Sequence, residues 1–208
     1  MKVLALIVLL SIAISSAHAR LKCNEKSSDI PRDFLDMTRG CIKEVRRQIQ
    51  AEIDASMQYL AMGAHFAKDT VNLHGFSDFF FKAAGEEREH ATKLIEYLLM
   101  RGQLTDDVSN LISVNNPQKV SWANGSEALK QALKTEAKVT KSIRNVIEKC
   151  ENDYNTNDYH LVDFLTGGFL QEQYTGQRDL AGKISTLDKL MATQGRFGEF
   201  LFDKQILK

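Results

Sequence analysis

Proline is almost absent from this chain, which has only Pro31 and Pro117 among its 208 residues. Because proline removes a hydrogen-bond donor and clashes with the preceding turn of a helix, its absence leaves a long interior free to be helical. A surplus of charge of one sign is also missing, since 27 basic residues balance 27 acidic ones. Proteins that bind nucleic acid usually need a basic surface, so the composition argues against that class.

A long hydrophobic run is a third absence. The apolar stretch from Val3 to Ile14 is too short to span a bilayer comfortably. It follows the short basic start Met1-Lys2 and precedes Ala17-His18-Ala19, a small-x-small cleavage site. This pattern predicts a signal peptide over residues 1–19, cleaved after Ala19, and favours it over a membrane anchor. We therefore expect the mature protein to be in the secretory pathway or outside the cell.

Four segments carry apolar residues in alternating steps of three and four, which is the period of a helix that buries one side. The predicted helices occupy about residues 36–66, 76–101, 125–150 and 159–187. The turns within each pair are short, and so each pair should be antiparallel. In the fourth helix the inward set is predicted to include Val162, Leu165, Phe169, Gly176, Leu180 and Ile184.

The remaining segments complete the predicted architecture. Residues 20–35 form an N-terminal arm, and residues 36–208 form one domain. Residues 103–121 show no helical period and are long enough to cross the full length of a bundle. After Gly195 a short amphipathic helix is predicted to place Phe197, Phe200, Leu201 and Ile206 on one side. The fold class is all-α: a four-helix bundle with one long crossover loop plus a short C-terminal fifth helix.

Two glycines interrupt the interior of the fourth helix. Gly167 and Gly168 should each cost roughly 1 kcal/mol relative to alanine. They mark either a soft point or a place of close packing.

Each helix carries polar residues within its apolar stripe, where a core helix would have leucine. They are Glu52 and Tyr59; Glu86, Glu87 and His90; Glu136; and Gln173. Burying a carboxylate is costly unless a partner compensates its charge, and a metal ion is such a partner. For one motif alone the alternative is a solvated charge cluster, because Glu-x-x-His is common by chance. The same feature on four helices favours the metal site.

The chemistry of these side chains indicates the metal. Oxygen ligands with one imidazole and no thiolate suit Fe(II) or Mn, with Zn as a competitor. One position has Glu52, Glu87 and His90, while the other has mainly Glu87 and Glu136, with Gln173 nearby and Glu86 able to swing in. Because a neutral amide replaces a charged ligand, the second ion should be held weakly. Weak ligation suits a substrate that is oxidised by O2 and leaves as ferric iron.

Several stretches of the sequence resemble the ferritin family over about residues 36–207. They are Glu86-Glu87-Arg88-Glu89-His90-Ala91, Phe200-Leu201-Phe202-Asp203-Lys204 and the run Gln48-Ile49-Gln50-Ala51-Glu52-Ile53-Asp54-Ala55-Ser56. With the signal peptide and the cysteines, the resemblance is to a secreted, insect-type subunit of the heavy-chain, ferroxidase kind.

This resemblance implies a 24-subunit shell, mixed with a light-chain type subunit, that oxidises Fe(II) and stores a ferric mineral. It implies metal ligands at Glu52, Glu87, His90, Glu136 and Gln173, with Tyr59 and Glu86 beside them. A light-chain type subunit would be expected to lose several of these residues. A shell subunit without its own chemistry is the competing interpretation. A secreted helical signalling protein is a third, but it would need apolar residues at the glutamate positions.

Two positions depart from the family pattern. The family's three-fold channel usually shows an Asp and, three residues later, a Glu, but here Asp163 is followed by Thr166. Fewer carboxylates should weaken the electrostatic attraction of Fe(II). Glu89 matches the family's inner nucleation surface, whereas Thr92 stands where heavy chains can carry another acid. Nucleation is therefore expected to depend on a partner subunit.

Three cysteines in a secreted chain suggest oxidised thiols, with one left over. If the long loop crosses the bundle, the third helix ends where the first begins. We therefore predict a disulfide between Cys41 and Cys150, which leaves Cys23 on the arm for a bond between subunits. The alternative is a free, buried Cys150. Asn124, in the sequon Asn124-Gly125-Ser126, is expected to be exposed at the start of the third helix.

Overall fold

A computed structural model describes residues 29–104, 110–117, 119–154 and 156–205. The predicted signal peptide, Cys23 and Ile206 lie outside these ranges. The described residues form helices and no β-strand, only an isolated bridge between Asp153 and Thr156. No helix in these ranges is both long enough and apolar enough to cross a membrane.

The helices confirm the predicted bundle. In chain order they are α1 (Arg39–Ala67), α2 (His74–Met100), α3 (Gly125–Glu151), α4 (Tyr159–Phe164), a π-helical segment (Leu165–Leu170), α5 (Gln171–Gln194) and α6 (Arg196–Gln205). Helix α1 packs against α2 and α3, and α3 also packs against α5. The long connection between α2 and α3 is the predicted crossover.

The apolar interior consists of two clusters separated by polar side chains. One cluster surrounds Ile49, Leu98 and Ile143, and the other surrounds Phe66 and Phe76. Along α3 every predicted inward residue is buried: Leu129, Ala132, Glu136, Val139, Ile143, Val146 and Cys150. Glu136 therefore lies at the boundary, with Ala132 in one cluster and Val139 in the other.

The predicted fourth helix is not one regular α-helix, because six of its residues form a π-helical turn. Its buried residues recur in steps of four: Leu161, Leu165, Phe169 and Gln173. Such a sequence would drift around an α-helix, whereas the wider π turn keeps these side chains on one face. A side chain added at Gly167 or Gly168 would meet nothing within 4 Å. These glycines therefore mark an open point, and the close-packing interpretation is wrong.

Two predicted inward faces near the end of the chain are also wrong. Gly176 is exposed, because the π turn brings Gln173 and half-buried Gln177 toward the core in its place. In α6, Phe197 and Phe200 are exposed, and the buried residues are Gly198, Glu199, Phe202 and Asp203.

Helix capping explains the orientation of α6. Asp203 Oδ1 accepts a hydrogen bond of 2.9 Å from the backbone N–H of Phe76, in the first turn of α2. Glu199 Oε1 accepts one from the N–H of Gly125, at the start of α3. Both carboxylates thus satisfy backbone donors that a helix start leaves unpaired, and this outweighs the exposure of two phenylalanines.

The disulfide between Cys41 and Cys150 is present, with the two Cα atoms 4.7 Å apart. It joins the start of α1 to the end of α3, as the crossover topology predicts. At the other end of α3, Asn124 caps the helix by accepting from the N–H of Glu127 at 2.8 Å. Asn124 is half-buried and not exposed, so its expected exposure is wrong.

We expect Cys41→Ser/Cys150→Ser to lower the free energy of unfolding by about 2–5 kcal/mol, because the bond closes a loop between residues 109 apart. Denaturant unfolding of the variant and of Cys23→Ser, as a control, measures the loss. Peptide mapping without reductant should also release one linked pair that contains Cys41 and Cys150. A linked peptide joining Cys23 to either residue would contradict the pairing.

Candidate metal centre

Three potential ligands from two helices meet in the bundle interior. Glu52 comes from α1, and Glu87 and His90 come from α2, three residues apart on one face. All three are buried, and one ligand atom from each lies within 4.8 Å of the others. His90 Nδ1 is 3.7 Å from Glu87 Oε2. This is the first metal position that the sequence predicts.

The second predicted position is built by α3, α5 and α1. The Tyr59 hydroxyl donates to Glu136 Oε1. The amide of Gln173 donates through Nε2 to the other oxygen of Glu136, Oε2, at 2.9 Å. Glu87 is close enough to both positions for Glu52 and Glu136 to influence its pKa.

Two further polar residues hold the amide of Gln173. Its Oε1 lies 2.7 Å from the hydroxyl of Thr140, which also lies 2.8 Å from the backbone carbonyl of Glu136. Gln177 donates to the same hydroxyl at 2.6 Å. In this arrangement the amide N–H group of Gln173, rather than its carbonyl, faces Glu136.

Glu86 is placed differently from the other predicted ligands. Its side chain is about half exposed and forms an ion pair of 3.2 Å with Lys82, one turn earlier in α2. Its charge still reaches the interior, where it raises the pKa of Glu87 and of Tyr59. The structure therefore brings together Glu52, Tyr59, Glu87, His90, Glu136 and Gln173, and places Glu86 beside them.

Burial dominates the electrostatics of the centre. Burial, together with the neighbouring carboxyls of Glu136 and Glu86, raises the pKa of Glu87 to about 8, while hydrogen bonding with Glu52 opposes the shift. Burial and then Glu87 raise the pKa of Glu52 well above its ordinary range. The pKa of Tyr59 is raised by burial and by Glu136. These carboxyls resist ionisation unless a positive charge lies among them.

Unpaired atoms indicate where such a charge would lie. Within the described ranges, Glu52 Oε2, Glu87 Oε2 and His90 Nδ1 are buried without a hydrogen-bond partner. Buried polar atoms are rarely left unpaired. In this part of the chain, no lysine or arginine lies within ion-pair distance of Glu52, Glu87 or Glu136. Free oxygen and imidazole atoms at this spacing fit a divalent cation of the iron or manganese type.

A cavity of about 330 Å³ leads from the surface to His90, between the π-helical segment and α2. Asp163, Lys93, Phe169 and Glu172 contribute to its lining. Glu172 Oε2 lies 3.3 Å from His90 Nε2, although its side chain is 58% exposed. The imidazole therefore faces the carboxyl pair on one side and an acidic opening on the other.

Besides Thr140, sequence reasoning missed Glu172 and Gln48, which also contact predicted ligands. Glu172 is exposed and is adjacent to Gln173 in sequence, so no apolar stripe marks it. Gln48 is fully buried and donates through Nε2 to Glu52 Oε1 at 2.7 Å. The sequence could have indicated this contact, because Gln48 stands four residues before Glu52 on the same helical face.

The raised pKa of Glu87 predicts that the metal-free protein loses stability as pH rises. Between its ordinary value of 4.5 and about 8, folded Glu87 holds a proton that the unfolded chain releases. That contribution is complete below 4.5 and is lost as pH passes 8. We expect Glu87→Gln to show a shallower fall in melting temperature between pH 6 and 8.5, measured with a chelator present.

Glu89→Gln is the matched control, because Glu89 is fully exposed on the same helix and Lys93 lowers its pKa. It should follow the wild type over this pH range. An equally steep fall for Glu87→Gln and wild type would contradict the assignment of the pH dependence to Glu87.

Comparison with known proteins agrees with this fold. A family model described as a ferritin-like domain matches residues 42–190. Ferritin heavy chain of Trichoplusia ni is 59% identical over 196 residues, covering 94% of this chain and 93% of its own. Ferritin heavy chain of Drosophila melanogaster is 55% identical over 205 residues, 99% of each chain. A crystal structure of Trichoplusia ni secreted ferritin is 62% identical with a TM-score of 0.86, covering 89% of this chain and 97% of that one. The chain belongs to the ferritin family.

Proposed function

We propose that this chain is the ferroxidase subunit of an iron-storage shell. Fe(II) is its substrate and O2 its co-substrate. Each Fe(II) gives up one electron, O2 accepts the electrons, and Fe(III) passes to a mineral core. The relatives named ferritin heavy chains, at 54–59% identity over at least 94% of this chain, support this function.

The observation that carries the proposal is the group Glu52, Glu87 and His90, three buried ligands without a compensating cation among the described residues. We assign the first iron position to these three. We assign the second to Glu136 and Gln173, with Glu87 bridging the two ions. Tyr59 orients Glu136 through its hydrogen bond, and Glu86 adds negative charge from the rim.

The two positions differ in charge, and this difference suits turnover. Glu52 and Glu87 both carry raised pKa values, so Fe(II) must displace protons to bind between them. The second position has one full carboxylate of its own and a neutral amide that faces Glu136 with its N–H group. An ion there has to compete with that hydrogen bond, so it should leave more readily than the first.

We propose that Fe(II) reaches the centre through the cavity at His90. Asp163 and Glu172 line this opening, and their oxygens suit a hard divalent cation. Thr166, which replaces the second acid of the family pattern, is exposed and bonds the carbonyl of Val162 through its hydroxyl. Attraction of Fe(II) at the surface should therefore depend on fewer carboxylates than in typical heavy chains.

The assembly and location follow from the same family. We propose a shell of 24 chains in which this subunit is mixed with a light-chain type subunit. Location in the secretory pathway or outside the cell is supported by the predicted signal peptide and the buried disulfide. The solved relative described as a secreted ferritin of Trichoplusia ni gives further support.

Shells made of this chain alone provide the test. We expect Glu87→Ala/His90→Ala to slow the appearance of ferric absorbance after Fe(II) is added in air, by about 100-fold or more, because it removes ligands of both ions. The control is Glu96→Ala, which changes an exposed glutamate on the same helix. If the wild type is no faster than the double variant, the chain is a structural shell subunit without its own chemistry.

A further inference from the structure

Gln48 is a buried amide that the ligand set of the metal centre does not include. It lies on the inward face of α1, with none of its surface exposed, near the buried residues Val45, Ile49 and Glu52. Its Nε2 donates to Glu52 Oε1 at 2.7 Å. Its Oε1 is buried and has no hydrogen-bond partner in the described part of the chain. Such an unpaired oxygen is unfavourable in a core, so packing alone does not explain a glutamine here.

The hydrogen bond divides the two oxygens of Glu52 between two tasks. Oε1 is occupied by Gln48, whereas Oε2 is buried and unpaired. One oxygen of the same carboxyl belongs to the group formed with Glu87 and His90, and Oε2 is the oxygen that remains free for an ion. Residues four apart on a helix lie on one face, one turn above the other. Gln48 therefore restrains the carboxyl of Glu52 from within the same helix, without contact to the ion position itself.

We propose that Gln48 is a positioning residue of the iron centre, which holds Glu52 so that Oε2 faces Glu87 and His90. This inference rests on the proposed function. Partners that orient metal ligands usually influence affinity by 10–100-fold when they are removed. The effect should be confined to the first ion, because Gln48 contacts neither Glu136 nor Gln173 among the hydrogen bonds of the described residues.

The same helix offers a matched control. Gln50 donates through Nε2 to Asp54 at 2.8 Å, with the same spacing of four residues, but this pair lies on the exposed side. Gln50 also bonds the backbone of Ser113 in the crossover loop. A glutamine-to-carboxylate bond along α1 therefore also occurs away from the metal centre. The two glutamines differ in burial and in proximity to the ligands.

The test is titration of assembled protein with Zn²⁺, which binds oxygen and imidazole ligands without redox chemistry. Methionine has nearly the length of glutamine but lacks the donor. We expect Gln48→Met to weaken binding of the first Zn²⁺ about tenfold, with the second ion and the melting temperature little changed. Gln50→Met should bind both ions as the wild type does. In air, Gln48→Met should need more Fe(II) for half-maximal rate and keep most of its maximal rate.

Other outcomes would overturn the proposal. If Gln48→Met binds the first Zn²⁺ as tightly as the wild type, the positioning role is refuted and the ferroxidase function is left in place. The same conclusion follows if Gln48→Met and Gln50→Met lose affinity for the first Zn²⁺ equally. If wild-type shells take up no more Zn²⁺ than shells of Glu87→Ala/His90→Ala, both proposals are refuted together. If Gln48→Met does not fold, a crystal structure of the wild-type protein with Zn²⁺ bound tests the positioning role. Gln48 should still bond Glu52 Oε1, and a Gln48 turned away from Glu52 would refute the positioning role.

Discussion

The structure depends on a group of buried carboxyls that face one another, with no compensating lysine or arginine among the residues that the structure describes. Glu52, Glu87 and Glu136 come from three helices and meet between two apolar clusters. Burial first, and then neighbouring carboxyls, raise the pKa of Glu52 and Glu87 above the range of exposed glutamates. A bundle with leucine at these positions would avoid this cost, so the arrangement is understandable only if a cation enters. Stability is reduced at the place where iron is proposed to bind.

Hydrogen bonds from neutral groups keep these carboxyls in place. Gln48 holds Glu52, and Tyr59 and Gln173 each hold one oxygen of Glu136. Donors without charge can orient a carboxylate and still leave its charge available to an ion. A lysine or arginine in any of these places would instead neutralise the site and compete with the metal. The choice of amides and a phenol thus preserves the attraction for cations.

Residues whose position follows from a regular period could be predicted from sequence. The α3 stripe was correct at every position, and Glu52, Glu87 and Glu136 were visible because each interrupts such a stripe. The π-helical segment was not predictable in the same way, since steps of four differ only slightly from the α period. The face of α6 was wrong because Glu199 and Asp203 bond the starts of two other helices, which requires knowledge of the tertiary contacts. Gln48 was overlooked because a buried amide beside Ile49 looks like ordinary variation within a stripe.

The wide turn before α5 has a consequence for the net charge of the second metal position. If residues 165–173 formed an ordinary α-helix, steps of three and four from Leu165 would bring Gly168 and then Glu172 toward Glu136. With the π turn, Phe169 and Gln173 occupy those places, and Glu172 faces outward toward His90. The geometry of this one turn therefore determines whether Glu172 or the neutral Gln173 lies beside Glu136. Under the proposed function, the acid would retain an ion that must leave after oxidation, whereas the amide would release it.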